Sequence, residues 1–218
     1  MPTKYKVLDV MILNRECLLL ATSDQLQFGF KKKHSAALAT AVVLETMDHY
    51  NSGGSKVFGV ALDASKAFDR IEYACLFNTL LQRGMSPLCI RLLFELYTEQ
   101  EMSVRYNSVV SDCFVPTNGV KQGGVLSPTL FSVYMDGLIE EFKKSGIGCH
   151  VGRNFCGIGS YADDIMLLAP TQFALKRMLD ICDSNAYKVR VKFNGAKSKA
   201  LVFVKNSSNI VPSFCCRW

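Results

Sequence analysis

Three aspartates stand where short apolar stretches end. Asp63 closes VFGVAL, and Asp163 with Asp164 interrupts GSYADDIMLLAP. A stretch of 100 residues separates Asp63 from Asp163, so only tertiary folding can bring them together. If it does, three carboxylates repel one another strongly unless cations sit between them. Hard oxygen ligands favour Mg²⁺, which keeps waters and shares substrate phosphates. Two such ions about 4 Å apart clamp the attacking and leaving oxygens of an in-line phosphoryl transfer. A structural reading competes for the same residues. Asp63 caps the turn that follows, and the Asp pair makes a hairpin turn through its side-chain oxygens.

A second stretch could handle a nucleotide. GVKQGGVLSP (119–128) places Lys121, Gln122, Gly123 and Gly124 directly before a helix start. Glycines there allow close backbone approach to a ligand, and a helix N-terminus favours anions. Gln supplies paired donor and acceptor groups. A loop of this composition also commonly just turns.

The elements that must position these groups follow from periodicity and caps. AALATAVVLETMDHY (36–50) carries apolar Leu38, Val42, Val43 and Met47 at helical spacing, with Ser35 as N-cap. NSGGS (51–55) is a loop, and VFGVAL (57–62) a buried strand. Helices are expected over 72–84, stopped by Gly84, and over 86–98, with Ser86 as cap and Pro87 in the first turn. Residues 102–107 and 111–116 form a hairpin closed by Pro116. The clearest helix spans 127–146, capped by Ser127, opened by Pro128 and ended by Gly146. The ADD hairpin, a helix over about 172–187 and the strand KALVFV (199–204) complete the chain, while residues 1–30 mix helical and irregular signals. Helices alternating with hairpin-connected strands indicate an α+β fold, with helices packed on one face of an antiparallel sheet.

Composition narrows the class. At 49% hydrophobic residues and mean hydropathy +0.15, the 218-residue chain is a folding polypeptide, not a disordered one. No apolar run approaches the ~18 residues of a spanning helix, and CLLLA (17–21) is too short for a signal peptide. The expectation is a soluble intracellular protein, cytoplasmic and/or nuclear. Nine cysteines contain no CxxC pair, so buried free thiols are the default; Cys149, His150 and Cys156 are the faint metal candidate. Residues 57–170 carry 12 acidic and 9 basic groups, residues 171–218 carry 2 and 9. An acidic middle beside a basic end suits a cation-binding centre in a polyanion-binding protein.

QFGFKKKHS, VALDASKAFDRI, GVKQGGVLSP, YADD and FNGAKSKALVF occur in the order and approximate spacing of reverse-transcriptase motifs. The chain most resembles the polymerases of non-LTR (LINE-type) retrotransposons, over about residues 25–205. The resemblance implies a right-hand polymerase with fingers and palm: partial fingers over 1–56, a palm over 57–205 with a finger-like insertion at about 72–118, and an irregular tail at 206–218. It implies that Asp63 and Asp163, with Asp164 adjoining and the Ala64 carbonyl as a further ligand, bind two Mg²⁺ ions, with Mn²⁺ as a possible substitute. Phe68 would lie under the incoming sugar and exclude a 2′-hydroxyl. Gln122 and Gly123 would contact the incoming nucleotide and its template base. Lys197 would stand near the leaving pyrophosphate as a proton donor. Lys31 and Lys32 would face the triphosphate, and Tyr161 would pack beneath the primer end. The implied partners are an RNA template, a DNA primer and dNTPs, with no membrane. Lys176, Arg177, Lys188, Arg190, Lys192 and Lys199 could line the nucleic-acid cleft.

Departures from the family pattern also carry expectations. Lys33 stands where the family has glycine. The earliest finger segment, a helical thumb after KALVFV, an endonuclease domain and a cysteine–histidine knuckle are not read in this sequence; the missing regions could lie elsewhere in a full-length element. The favoured function is RNA-directed DNA polymerase. The alternative is a catalytically idle relic or domesticated palm that binds nucleic acid or a protein partner. YADD in place of Gly-Asp-Asp, together with Phe68, disfavours an RNA-templated RNA polymerase.

Overall fold

A computed structural model describes residues 3–16, 23–189 and 191–204. In chain order the elements are α1 (Thr3–Arg15), α2 (Ala36–Ser52), β1 (Val57–Asp63), a 3₁₀ turn (Ala67–Arg70), α3 (Tyr73–Gln82), α4 (Pro87–Thr98), β2 (Arg105–Tyr106), β3 (Val109–Val110), α5 (Ser127–Ser145), β4 (His150–Val151), β5 (Asn154–Phe155), β6 (Ile158–Tyr161), β7 (Asp164–Ala169), α6 (Gln172–Val189) and β8 (Lys199–Phe203). They group into two units. One holds α1 and Phe68–Tyr134; the other holds Ser23–Ala67 and the described residues from Met135 onward.

The second unit is built on a four-stranded antiparallel sheet ordered β6-β7-β1-β8. Alternation in β1 and β7 sorts the side chains. Val60, Leu62, Ile165 and Leu167 point to one face and are at most 2% exposed. Helix α6 packs along β7 and β1, with Leu175, Met178 and Cys182 buried at helical spacing. On the other face, Val57, Leu168 and Cys149 form a cluster covered by Val43 and Tyr50 of α2. The Asp63 end of that face stays open. This core is what fixes the carboxylate-bearing strand ends.

In the first unit, α3 and α4 pack through Leu76, Leu80, Leu93 and Tyr97, with Tyr73 edge-on to Tyr97 at 5.6 Å. Ser86 caps α4 as expected, accepting the Cys89 amide at 3.4 Å, and Gly84 ends α3 with φ 87°.

Several local expectations are corrected. In the expected 102–116 hairpin the regular ladder is short, Arg105–Tyr106 with Val109–Val110 around a tight turn at Asn107 and Ser108, both at positive φ, and further down the two arms meet at a single bridge between Met102 and Phe114. Ser127 does not cap α5; it is the first helical residue, and its hydroxyl donates to the Lys121 carbonyl. Asp9 of α1 instead fastens the chain just before the helix, its carboxylate taking the Val125 amide at 3.1 Å. The early mixed segment contains the regular helix α1, and β4–β5 is a short hairpin without a sequence signal. The 17–21 stretch and the 206–218 tail lie outside the described residues. No helix among the described residues is long and apolar enough to cross a membrane.

Candidate active site

The β1–β7 register places Asp63 directly opposite Asp164. Tyr161 pairs with Asp164 in turn, so Ala162 and Asp163 form a two-residue hairpin loop. Cross-strand partners share a face. Asp63, Asp164 and Tyr161 therefore lie on the same side of the sheet as Ala61, Gly159 and Met166. With Ala39, Thr40 and Val43 of α2, and with Lys197, these residues line an open pocket of about 410 Å³. Thus four of the residues expected to carry chemistry converge, although they come from three separate segments.

Like charge dominates the rim. Burial, then the negative charges of Asp163 and Asp63, push the Asp164 carboxyl above its ordinary value. Lys197 Nζ stands 3.9 Å from Asp63 Oδ2, at the edge of ion-pair distance, and is 69% exposed. Its loop is fixed from below. The Asn194 amide donates to the Asp63 carbonyl at 2.8 Å, and Asn194 Oδ1 accepts the Ala196 and Lys197 amides. Ala64 is buried and bridges to Phe193, but the two ladder bonds fall on Asp63 and Ser65, leaving its carbonyl outside the ladder.

The donor set suits a hard divalent cation: carboxylate oxygens of like charge, with no hydrogen-bond partner for Asp163 or Asp164 among the described residues. As the side chains stand, no group of three or more His, Cys, Asp or Glu among the described residues closes around one metal position. Cys149 and His150 likewise form no such group. The Cys149 thiol is buried and pushed up to about 12.

The other expected residues are placed as follows. Lys31 is held in a turn, where its ammonium donates to the carbonyls of Ser23 and Asp24 at 2.8 and 2.6 Å. Lys32 is exposed. Lys33 adopts φ 63°, the left-handed conformation that glycine takes freely, so lysine keeps the backbone turn at this position. Phe68, in the first unit, stacks on the fully buried Phe131 at 4.4 Å and 10°. Gln122 is exposed and donates to Asp69 Oδ1 at 3.1 Å; Gly123 is also exposed, with φ 76°. Lys176, Arg177, Lys192 and Lys199 are exposed, whereas the side chains of Lys188 and Arg190 lie outside the described residues.

Two polar residues not singled out by sequence hold these loops. Asp9 is 4% exposed and anchors the end of the Gln122 loop at Val125; burial raises its carboxyl. Gln27 is fully buried beneath the Asp163 turn. Asp9 sits in no pattern that marks it; Gln27 opens the QFGFKKKHS motif, which marks the segment but not the bonds this side chain makes.

Comparison with known proteins decides the family. The profile of the family described as "Reverse transcriptase (RNA-dependent DNA polymerase)" matches residues 1–210. The chain belongs to the reverse transcriptase family. Its relatives come from non-LTR elements. The Pol polyprotein of the type-2 retrotransposable element R2DM of Drosophila melanogaster is 32% identical over 157 residues, 72% of this chain and 15% of that protein. The RNA-directed DNA polymerase from mobile element jockey of Drosophila funebris is 27% identical over 220 residues, 93% of this chain and 23% of that protein. This reverse transcriptase chain therefore spans less than a quarter of either relative. Its fold is that of a right-hand polymerase. A truncated apo telomerase from Candida tropicalis superposes with TM-score 0.70 at 14% identity, covering 96% of this chain and 43% of that one. The Candida tropicalis telomerase in complex with a fragment of telomeric RNA gives 0.68 at 14%, covering 92% and 34%.

Proposed function

We propose that this chain is the polymerising core of an RNA-directed DNA polymerase of a retrotransposon, working inside the cell in cytoplasm or nucleus. It joins a dNTP α-phosphate to a primer 3′-hydroxyl opposite an RNA template. The observation that carries this reading is the direct pairing of Asp63 with Asp164, beside Lys197, in a chain of this family. The telomerase neighbour in complex with RNA supports an RNA partner.

Asp63, Asp163, Asp164 and the Ala64 carbonyl are the groups that would hold divalent cations, Mg²⁺ by their hard-oxygen chemistry, with Mn²⁺ as a substitute. Bound there, such ions would stabilise charge on the attacking and leaving oxygens. Lys197 places an ammonium where the departing pyrophosphate can take a proton or a counter-charge. Phe68, braced by Phe131, forms a stiff floor against which a ribose 2′-oxygen would clash. Gln122 and Gly123 contact the incoming nucleotide and template base, and Tyr161 supports the primer end. Lys32 faces the triphosphate. Lys31 is assigned instead to holding the turn, because its ammonium is already bonded to two carbonyls. Lys176, Arg177, Lys192 and Lys199 contribute phosphate contacts, leaving sequence to base pairing.

The test is extension of a DNA primer on an RNA template with dNTPs and Mg²⁺. The chain should extend the primer and Asp163→Ala should not. A folded wild-type chain that binds the duplex but adds no nucleotide would favour the nucleic-acid-binding reading.

A further inference from the structure

The hairpin that presents Asp163 carries an unusual backbone. Ala162 has φ 58°, a conformation that residues with a side chain rarely adopt, in a loop where glycine is common. Something must hold it. Directly beneath lies the Gln27 side chain, fully buried although it comes from a segment more than 130 residues away. Its Oε1 accepts the Ala162 amide at 3.2 Å and the Gly29 amide at 3.0 Å. Its Nε2 donates to Ser160 Oγ at 3.1 Å, and that hydroxyl donates onward to the Ala162 carbonyl at 3.3 Å. Both polar groups of the Ala162 backbone are thus bonded, one directly by Gln27 and one through Ser160.

The segment around Gln27 is locked to the same strand. The Phe28 amide donates to Ser160 O at 2.7 Å, and the Ser160 amide donates to Leu26 O at 2.8 Å. A Cβ on Gly29 would lie 2.4 Å from the Ala162 nitrogen, so only glycine lets the two backbones approach this closely. Of the three hydrogen bonds of this fully buried amide, one holds its own loop at Gly29 and two go to the hairpin, at Ser160 and Ala162, and removing the amide would leave those buried groups unpaired.

We propose that Gln27 is a positioning residue, which sets the height and orientation of the Asp163 turn from below without touching substrate. The role in catalysis rests on the polymerase reading; the role in holding the turn does not.

Two measurements on the full chain test it. Gln27→Met keeps the length of the side chain but removes its amide. Amide hydrogen exchange at Ala162 should quicken about tenfold, the scale of one lost hydrogen bond, while the Leu168 amide on β7 keeps its protection. Single-nucleotide addition should lose roughly 10- to 100-fold in kcat, as expected for reacting groups misplaced by about an ångström, with the dNTP KM essentially unchanged. Ser160→Ala should move both readouts the same way to a smaller extent, and it carries the test if Gln27→Met does not fold. Unchanged exchange at Ala162, or equal acceleration at Leu168, overturns the proposal. So does a normal kcat with a loosened turn. If the wild-type chain adds no nucleotide, the polymerase reading fails, and exchange alone decides whether Gln27 holds the turn.

Discussion

Replacing Asp164 with Asn should make the protein more stable. Asp63 and Asp164 are directly opposed on antiparallel strands, a geometry that holds Cβ atoms about 5 Å apart and makes like charges destabilising. Two carboxylates about 5–6 Å apart, at an effective dielectric constant of about 40–80 suited to an open rim, repel by about 0.7–1.7 kcal/mol. Asp163 adds a further like charge. The neutral amide should therefore gain about 1–2 kcal/mol at low ionic strength, or about 2–8 °C in Tm for a chain of this size. About 0.15 M salt should roughly halve the gain, and about 1 M salt should nearly abolish it. The pH dependence has a definite sign. The Asp164 carboxyl is raised in the folded state, so its contribution to stability is complete below the unfolded value of about 3.9 and is lost as pH rises through the folded value. The advantage of Asn is thus greatest near neutrality and fades as acid protonates Asp164. Urea denaturation followed by circular dichroism, at low and high salt and across this pH range, measures it. An Asp164→Asn protein no more stable than wild type at low salt and neutral pH would refute the reasoning, as would a gain indifferent to salt.

Lys33→Gly should stabilise the fold by about 0.5–1 kcal/mol, because φ 63° suits glycine and the relief of strain exceeds the added unfolded-state entropy; a lower urea midpoint would contradict this. Asp9→Ala should cost about 1–3 kcal/mol by orphaning the Val125 amide. Its burial-raised carboxyl also makes this contribution fade as pH rises through the folded value, which a stability–pH curve compared with Asp9→Asn should show. Phe68→Val should lower the preference for dNTP over rNTP by roughly 10- to 100-fold in kcat/KM, the range for one small steric difference, while leaving Mg²⁺ dependence unchanged.

The strand ends and their acids were legible because charge interrupts apolar runs at Asp63 and at Asp163–Asp164, and because a period of two fixes which residues share a face. Caps at Ser35 and Ser86 were legible for the same local reason: each hydroxyl accepts an amide three residues on. What stayed hidden depends on distance along the chain. Asp9 reaches an amide 116 residues away, and Gln27 one 135 residues away; neither residue type is unusual where it stands. A hydroxyl at a helix start has two possible uses, and Ser127 takes the one that is not local to the helix: it donates back to the Lys121 carbonyl. The β4–β5 hairpin has strands of two residues each, too short to show alternation.

The most direct test of the account is single-turnover addition of one dNTP to a primer annealed to RNA, with Mg²⁺, comparing the wild-type chain with Asp63→Asn. The account predicts addition by the wild type and loss of at least roughly a thousandfold in rate for the variant, since removing one charge-stabilising group at a reaction centre typically costs 10²–10³ and here a cation ligand goes as well. Addition by both proteins at similar rates would contradict it.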